Sequence, residues 1–451
     1  MKFKVWVSSI IIVTAISRLE AGTSGKISGQ VTDQNSGEPL IGVNVIIDGT
    51  SFGAATDVNG NYSILNIAPG IYTVNCSAIG YKKISATSVS VSIDLTSRVD
   101  FQMEVSAVEM GEILVVVHKK PMVTRDLTAS TAVVKSDDIE AMPVNNVTEL
   151  LKMQAGMIDG HARGGRSGEI LYTVDGVPMT DVYDGSQVIE VNKNMVNELQ
   201  FVSGAFNAEY GKAMSGIVNI VTKDADNAIR FGLDSYIGGH YSQHTEIFRG
   251  INKYDPLATH NIEGYLNFPV LKNRIYFFGN FRKYYTDGWI NGKYVFNPWD
   301  ITYNLGASYE PQDRYIFQST GDSSLVPMNW EDRTYFHGKL FIKPTAKITL
   351  NWNSIVDKKT WQEYNHYYAY NPFGDINRHS LAYTNSLTMT HMLNTRTFYQ
   401  AILSTYTRDY RHYVYENPYD SLYTNYLLLA QAPSEIPSFL TGGTNAAHFY
   451  R

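Results

Sequence analysis

The most constraining feature of the sequence is an apolar/polar alternation sustained for longer than a soluble sheet usually needs. In residues 333–343, Phe336, Leu340 and Ile342 fall on one side of an extended chain, and Tyr335, His337, Lys339 and Lys343 fall mostly on the other. After a turn at Pro344-Thr345-Ala346, Ile348, Leu350 and Trp352 alternate with Lys347, Thr349, Asn351 and Asn353. Residues two apart share a strand face, so each segment has one apolar and one hydrogen-bonding face. Soluble strands usually run about five or six residues, whereas these run about ten to fifteen, enough for a tilted strand to cross a bilayer. Strands are expected at 229–238, 259–268, 273–286, 333–343, 346–358, 380–391 and 394–411. The connections between them are then long, short, long, short, long and short, with short turns containing 269–272, 344–346 and 392–393 and the longest loop at 287–332. Transmembrane barrels have that asymmetry, with short periplasmic turns and long outer loops.

Composition divides the chain at the same place. The first 227 residues hold 12 aromatic side chains and the remaining 224 hold 45. Tyr and Trp rings settle at the boundary between hydrocarbon and water, so the second half suits a membrane wall. Tyr284, Tyr285, Trp289, Tyr367, Tyr368 and Tyr370 sit beside or in the expected outer loops. Packing within those loops explains them, and stacking on sugars or aromatic ligands is the alternative. A net charge of −6 without a basic stripe speaks against nucleic acid as a partner. The single cysteine, Cys76, cannot form a disulfide within the chain, and its apolar neighbours mark it as a buried hydrophobe. No run of 18 apolar residues is present, so no transmembrane helix is expected. Lys2 and Lys4 before the apolar run 5–16, with small residues after it, predict a secretory signal peptide over 1–21. No cysteine follows that run, so no lipoprotein anchor is indicated.

Residues 26–103 read as about seven short strands broken by turns, which predicts a β-sandwich. Asp57-Val58-Asn59-Gly60-Asn61 is expected to be a hairpin turn, because Asn-Gly accepts positive φ. Residues 121–227 mix helix and strand. Asp137-Asp138-Ile139-Glu140 resembles a capping box, and Asn146 is placed to cap a second helix ending at Gly156. The glycines around Arg163-Gly164-Gly165-Arg166 precede a strand rather than open a helix, and Gly211-Lys212-Ala213 lacks the spacing of a phosphate loop. Neither suits a nucleotide. Between the two regions, 112–117 is a β-prone apolar hexamer followed by the basic 118–121. Such a segment can serve as an edge strand of its own domain or add to the sheet of a partner.

Two resemblances sharpen this reading. Gly29-Gln30-Val31-Thr32-Asp33, Pro39-Leu40-Ile41-Gly42-Val43-Asn44-Val45, Thr56-Asp57-Val58-Asn59-Gly60-Asn61-Tyr62 and Ile79-Gly80-Tyr81 resemble the carboxypeptidase-regulatory-like domain. That domain accompanies both metallopeptidases and outer-membrane receptors, and the chain contains no His-Glu-x-x-His to hold a catalytic zinc. Arg163-Gly164-Gly165-Arg166, Val174-Asp175-Gly176-Val177-Pro178, Phe206-Asn207-Ala208-Glu209-Tyr210-Gly211 and Ser215-Gly216-Ile217-Val218-Asn219-Ile220-Val221-Thr222-Lys223 resemble the plug of TonB-dependent receptors. By that resemblance 121–227 is a plug domain, and Glu112, Ile113, Leu114, Val115 and Val116, within the linker 111–120, stand where the family places its TonB box. The resemblance also implies that 160–166 and 183–186 approach a bound ligand.

The expected architecture is therefore mainly β: an N-terminal β-sandwich, an α+β plug domain, and over 228–451 the first strands of a transmembrane antiparallel β-barrel. Seven strands cannot close around a plug, and Arg451 is not the terminal aromatic of the family, so the expectation is an incomplete barrel. The resemblance implies an outer-membrane receptor or transporter with its N-terminal domain in the periplasm. It would import a scarce extracellular ligand with energy from TonB and have TonB, membrane lipid and, as an open option, a surface lipoprotein as partners. No enzymatic activity, catalytic residue, cofactor or metal is expected. The competing readings are a surface binding or adhesion protein that does not transport, and a secreted metallopeptidase with a regulatory sandwich. The ligand class stays open among siderophore, cobalamin, glycan and peptide.

Overall fold

The computed structural model describes residues 24–105, 114–117, 130–304, 315–420, 423 and 449–450, except 51, 143, 145, 159, 167, 182–184, 186, 188, 190, 205–210, 212, 301, 346, 395 and 396. The expected signal peptide lies outside the described residues.

The sandwich forms from β1 (Gly25–Asp33), β2 (Asn44–Ile47), β3 (Gly53–Ala55), β4 (Asn61–Ile67), β5 (Gly70–Ser77), β6 (Ile84–Val91), β7 (Thr96–Arg98) and β8 (Phe101–Met103). One sheet has the order β4-β1-β7, with β8 also on β1; the other runs β3-β2-β5-β6 and ends on β9 (Leu114–Val117). Alternation decides which side chains go in: Val43, Val45 and Ile47 are buried, whereas Asn44 and Ile46 are exposed. They meet Ile27, Val31, Ile64, Val74 and Phe101 in one core, and the buried Tyr62 hydroxyl donates to the Val99 carbonyl at 2.6 Å. Each such apolar side chain contributes about 1.5–3 kcal/mol on burial.

The turn at 57–61 forms as expected in detail but not in role. Gly60 has φ +73°, and the Asp57 carboxylate accepts from the amides of Asn59 and Asn61. Its flanking strands, however, belong to different sheets. The segment is a crossover between layers rather than a hairpin.

The mixed domain holds β10 (Ser130–Lys135), α1 (Ser136–Ala141), α2 (Val147–Lys152), β11 (Met157–Ile158), β12 (His161–Ala162), β13 (Ile170–Val174), β14 (Val177–Pro178), β15 (Val196–Ser203) and β16 (Gly216–Thr222). Its sheet has the order β10-β15-β16-β13-β14. The pair β13–β16 is parallel, and every residue of both strands is buried, as expected for strands covered on both faces. Asn146 caps α2 by accepting from the Glu149 amide at 2.8 Å. That helix ends at Lys152, and Gly156 lies beyond it in a turn at φ +85°. The capping box at 137–140 does not form. α1 begins directly from β10, with Lys135 as N-cap and no side-chain cap bond.

In the aromatic half the long strands are β17 (Arg230–Gly238), β18 (Thr259–Leu271) and β19 (Ile275–Thr286). The connection after β19 contains β20 (Asn291–Lys293), β21 (Thr302–Asn304), β22 (Tyr315–Phe317) and β23 (Leu325–Pro327). Then come β24 (Glu331–Thr345), β25 (Ile348–Trp361), β26 (Asn377–Asn394), β27 (Thr397–Tyr413) and the short β28 (Phe449–Tyr450). The sheet order is β17-β18-β19-β24-β25-β26-β27-β28. The alternation of long and short connections holds. All three expected short turns are partly or wholly strand: 269–271 belong to β18, with Pro269 opposite Tyr276 beside a register shift and the turn starting at Lys272, Pro344 and Thr345 belong to β24, and Met392 and Leu393 belong to β26. A bulge is where a sheet tolerates proline, which has no amide proton to donate. The described strands do not close into a barrel, and no helix among the described residues is long and apolar enough to cross a membrane.

Candidate functional site

The recurrent motifs of the mixed domain converge on the β13–β16 pair. Asp175 and Gly176 both have positive φ, +49° and +79°, which is the geometry of a two-residue turn between β13 and β14. The Asp175 carboxylate then reaches across to the end of β16. It accepts from the Thr222 amide at 2.9 Å and from the Thr222 hydroxyl at 2.6 Å. One strand turn further, Thr173 donates its hydroxyl to Asn219 at 2.9 Å, and Asn219 is fully buried. A buried polar group that loses its partner costs about 1–3 kcal/mol, so these bonds fix the register.

The Arg163–Arg166 motif folds onto the same edge. Arg163 donates its amide to the Gly156 carbonyl at 2.7 Å and is itself at φ +48°; Gly164 follows at φ +76°. A Cβ on Gly165 would stand 2.4 Å from the Ser215 Cβ, so only glycine allows this approach. The Arg166 amide donates to the Glu169 carboxylate at 3.0 Å, and the Glu169 carbonyl accepts from Met214 and Ser215. At Gly216 an added Cβ would press on Ala162 and Phe201 at 3.0 and 3.2 Å. Gly211 is in a turn, with nothing near the place of an added Cβ. Tyr210, like 206–209, lies outside the described residues, as do Tyr183, Asp184 and Ser186. The described motif residues thus shape turns and sheet register. Thr222, which completes the Asp175 bonds, belongs to the 215–223 motif, whereas Glu169, which completes those of Arg166, lies outside every motif the sequence offered.

The apolar hexamer is divided. Glu112 and Ile113 lie outside the described residues, whereas Leu114, Val115 and Val116 belong to β9 together with Val117. β9 runs parallel to β6, with Leu114 opposite Ile84 and Val117 opposite Thr87. It is the last strand of the sandwich's second sheet.

The sandwich is fastened to β15 of the mixed domain by side chains. Glu198 accepts from the Ile93 amide at 2.8 Å, and Gln200 donates to the Ile93 carbonyl at 3.1 Å. Both side chains are buried, at 2% exposure each. Asn197 donates to the Pro69 carbonyl at 2.8 Å, and Lys135 donates to the Ser90 hydroxyl. The sequence held a faint sign of this clamp, polar residues at 198 and 200 on one face of an otherwise apolar strand.

The aromatic sheet reverses the usual placement. Asn261, Glu263 and Asn267 of β18 and Asn280 of β19 are buried, whereas Ile262, Leu266 and Phe281 are exposed. On β24 and β25, Arg333, His337, Lys339, Asn353 and Asp357 are buried, and Phe336 and Trp352 are exposed. Several of the buried groups bond one another. Arg333 donates to both Asp357 oxygens at 2.9 and 2.5 Å, His337 and Asn353 share a 2.7 Å bond, and Arg282 donates to Asn261 at 2.7 Å. The aromatic clusters pack locally: Tyr285 stacks on His260 at 5.1 Å, Trp289 meets His240 edge-on, and Arg249 lies over Tyr370.

Among the described residues no group of three or more His, Cys, Asp or Glu could hold a metal ion. The spacing His-x-x-Glu does occur, at His260–Glu263. It lies on a strand, where residues three apart face opposite sides, so the two cannot share one zinc as they would on a helix. Cys76 is buried, and burial pushes its thiol up to about 12. It is no nucleophile near neutral pH.

Residues 27–115 match the CarboxypepD_reg-like domain model, and residues 123–218 match the TonB-dependent receptor plug domain. This chain carries a TonB-dependent receptor plug. The motifs around Arg163, Asp175 and Gly216 are that domain's sheet and turns, and the sandwich before it is CarboxypepD_reg-like, with a model match that runs into β9. The chain is 23% identical over 291 residues to the TonB-dependent transporter Oar of Myxococcus xanthus, covering 58% of this chain and 27% of Oar. It is 25% identical over 266 residues to the TonB-dependent receptor SusC of Bacteroides thetaiotaomicron, covering 53% of this chain and 24% of SusC. The chain thus spans about a quarter of the length of these curated relatives. A solved structure, the alcaligin outer membrane receptor FauA of Bordetella pertussis, aligns with a TM-score of 0.43 and 14% identity over 64% of this chain and 40% of FauA.

Proposed function

We propose that this chain works as a TonB-dependent outer-membrane receptor that imports a scarce extracellular ligand using energy delivered by TonB. One observation supports this above the rest: a plug domain shares the chain with a sheet whose exposed face is apolar and whose buried face is polar. In water such a sheet would expose apolar area at about 25 cal/mol per Å², whereas in a bilayer the same face is at home. The sheet then spans the outer membrane, and the sandwich, plug and 112–116 start on the periplasmic side. TonB pairs with 112–116, and its pull rearranges the plug so that bound ligand passes. Deleting 112–116 from the full-length receptor is expected to abolish energised uptake in whole cells while leaving ligand binding unchanged. Undiminished uptake by the deletion strain would remove the assignment. A protein that only displays a binding surface would take up nothing in either form, so the same assay separates that reading.

A further inference from the structure

The placement of β9 gives the sandwich a task. Leu114, Val115 and Val116 are three of the five residues assigned above to TonB, and they are already extended and paired to β6. A strand uses alternate residues to bond on its two sides, so pairing with β6 satisfies one edge and leaves the other edge's donors and acceptors for a second strand. Among the described strands β9 is the last of its sheet. A partner strand that adds there meets backbone ordered in advance, which removes part of the entropy loss a free segment would suffer on pairing.

The same strand is tied into the plug. β6 runs to Val91, and two residues later Ile93 is gripped by Glu198 and Gln200 of β15 through its amide and its carbonyl. Both gripping side chains are buried, and Asn197 and Lys135 add bonds on either side. Residues 118–129 also connect β9 to the plug covalently. The path from β9 through β6 and Ile93 to β15 consists of bonds already made.

We propose that the sandwich presents 114–117 as a preformed edge strand, to which a strand of TonB adds while β9 stays on β6, so that the pull enters the plug at β15 through the Ile93 clamp. This rests on the assignment of 112–116 to TonB, and the test keeps the two apart. Thr87 and Val117 are register partners, and neighbouring strands lie within the Cα separation a disulfide spans. The full-length double variant Thr87→Cys, Val117→Cys is to be titrated with a purified periplasmic fragment of TonB, oxidised and then reduced; the buried Cys76 stays out of the exchange. The oxidised form is expected to bind within twofold of the reduced form. A tenfold or greater loss on oxidation, recovered with reductant, would show that β9 must leave β6 and would overturn the proposal. Hydrogen exchange on the unmodified receptor gives an independent reading. Adding the fragment is expected to keep or increase protection of amides 84–87, whereas deprotection there means displacement and overturns it too. If deleting 112–116 leaves fragment binding intact, the assignment to TonB fails instead.

Discussion

In the sandwich, Val43, Val45 and Ile47 face the core while Asn44 and Asp48 face water; in the aromatic sheet, Asn261, Glu263 and Asn267 are buried while Ile262 and Leu266 are exposed. Both regions obey the same two-residue period with opposite sign. The difference teaches that a strand pattern records which side chains share a face, and that the identity of the solvent decides which face is covered. The small sandwich packs its layers around an apolar core. The aromatic sheet holds its covered face with charge pairs and amide bonds, and under the proposed function its apolar face meets lipid.

The largest effect that would test this contrast is at Arg333. Replacing it by leucine leaves Asp357 buried without its bidentate partner, and removing one member of such a pair costs about 3–5 kcal/mol. Urea unfolding of the receptor in lipid vesicles is expected to show that loss; a change under 1 kcal/mol would mean the pair is open to water. Next comes a matched pair of charges on exposed apolar positions. Leu233→Arg, in the middle of β17 and 78% exposed, is expected to cost about 2–4 kcal/mol in a bilayer. Ile46→Arg, on the outer face of the sandwich, is expected to change stability by about 0.5 kcal/mol or less. Equal effects at the two sites would break the comparison. A smaller loss, about 1 kcal/mol, is expected from Asn146→Ala, which removes the cap of α2, read as faster exchange of the Glu149 amide. The smallest is an acid effect at the plug surface. Lys223, hydrogen-bonded to Glu140 at 2.7 Å, holds that carboxyl below its ordinary value of 4.5. A lowered folded-state value means the stabilisation is present above 4.5 and lost as pH falls through the folded value. The carboxylate is half exposed, so the term is at most about 1 kcal/mol. Lys223→Met should therefore flatten the stability profile of the plug in that acid window and nowhere else.

Much of this architecture could be read from the chain because its signals are local. The alternation in 333–343 and 346–358 located β24 and β25 within a few residues, since period two is a property of the strand itself. Asn146 announced its helix because a cap bonds within its own turn. What stayed hidden depends on partners far away in sequence. The turn at 57–61 is well formed, yet only the whole fold shows that it links two layers. The Asp137–Glu140 pattern failed as a cap because β10 feeds directly into the helix. The pairing of β9 with β6 and the grip of Glu198 on Ile93 join residues 30 and 105 positions apart, and no window of sequence contains both ends.

The clamp on Ile93 also has a meaning in time. Protein chains are made from the N-terminus, and domains generally fold as units in that order. Glu198 and Gln200 receive their backbone partners from a segment finished about a hundred residues earlier. The sandwich is then a template against which the plug completes β15. A sandwich that folds late or badly would leave β15 with buried groups lacking those bonds, and the damage would surface first in the plug rather than at the lesion.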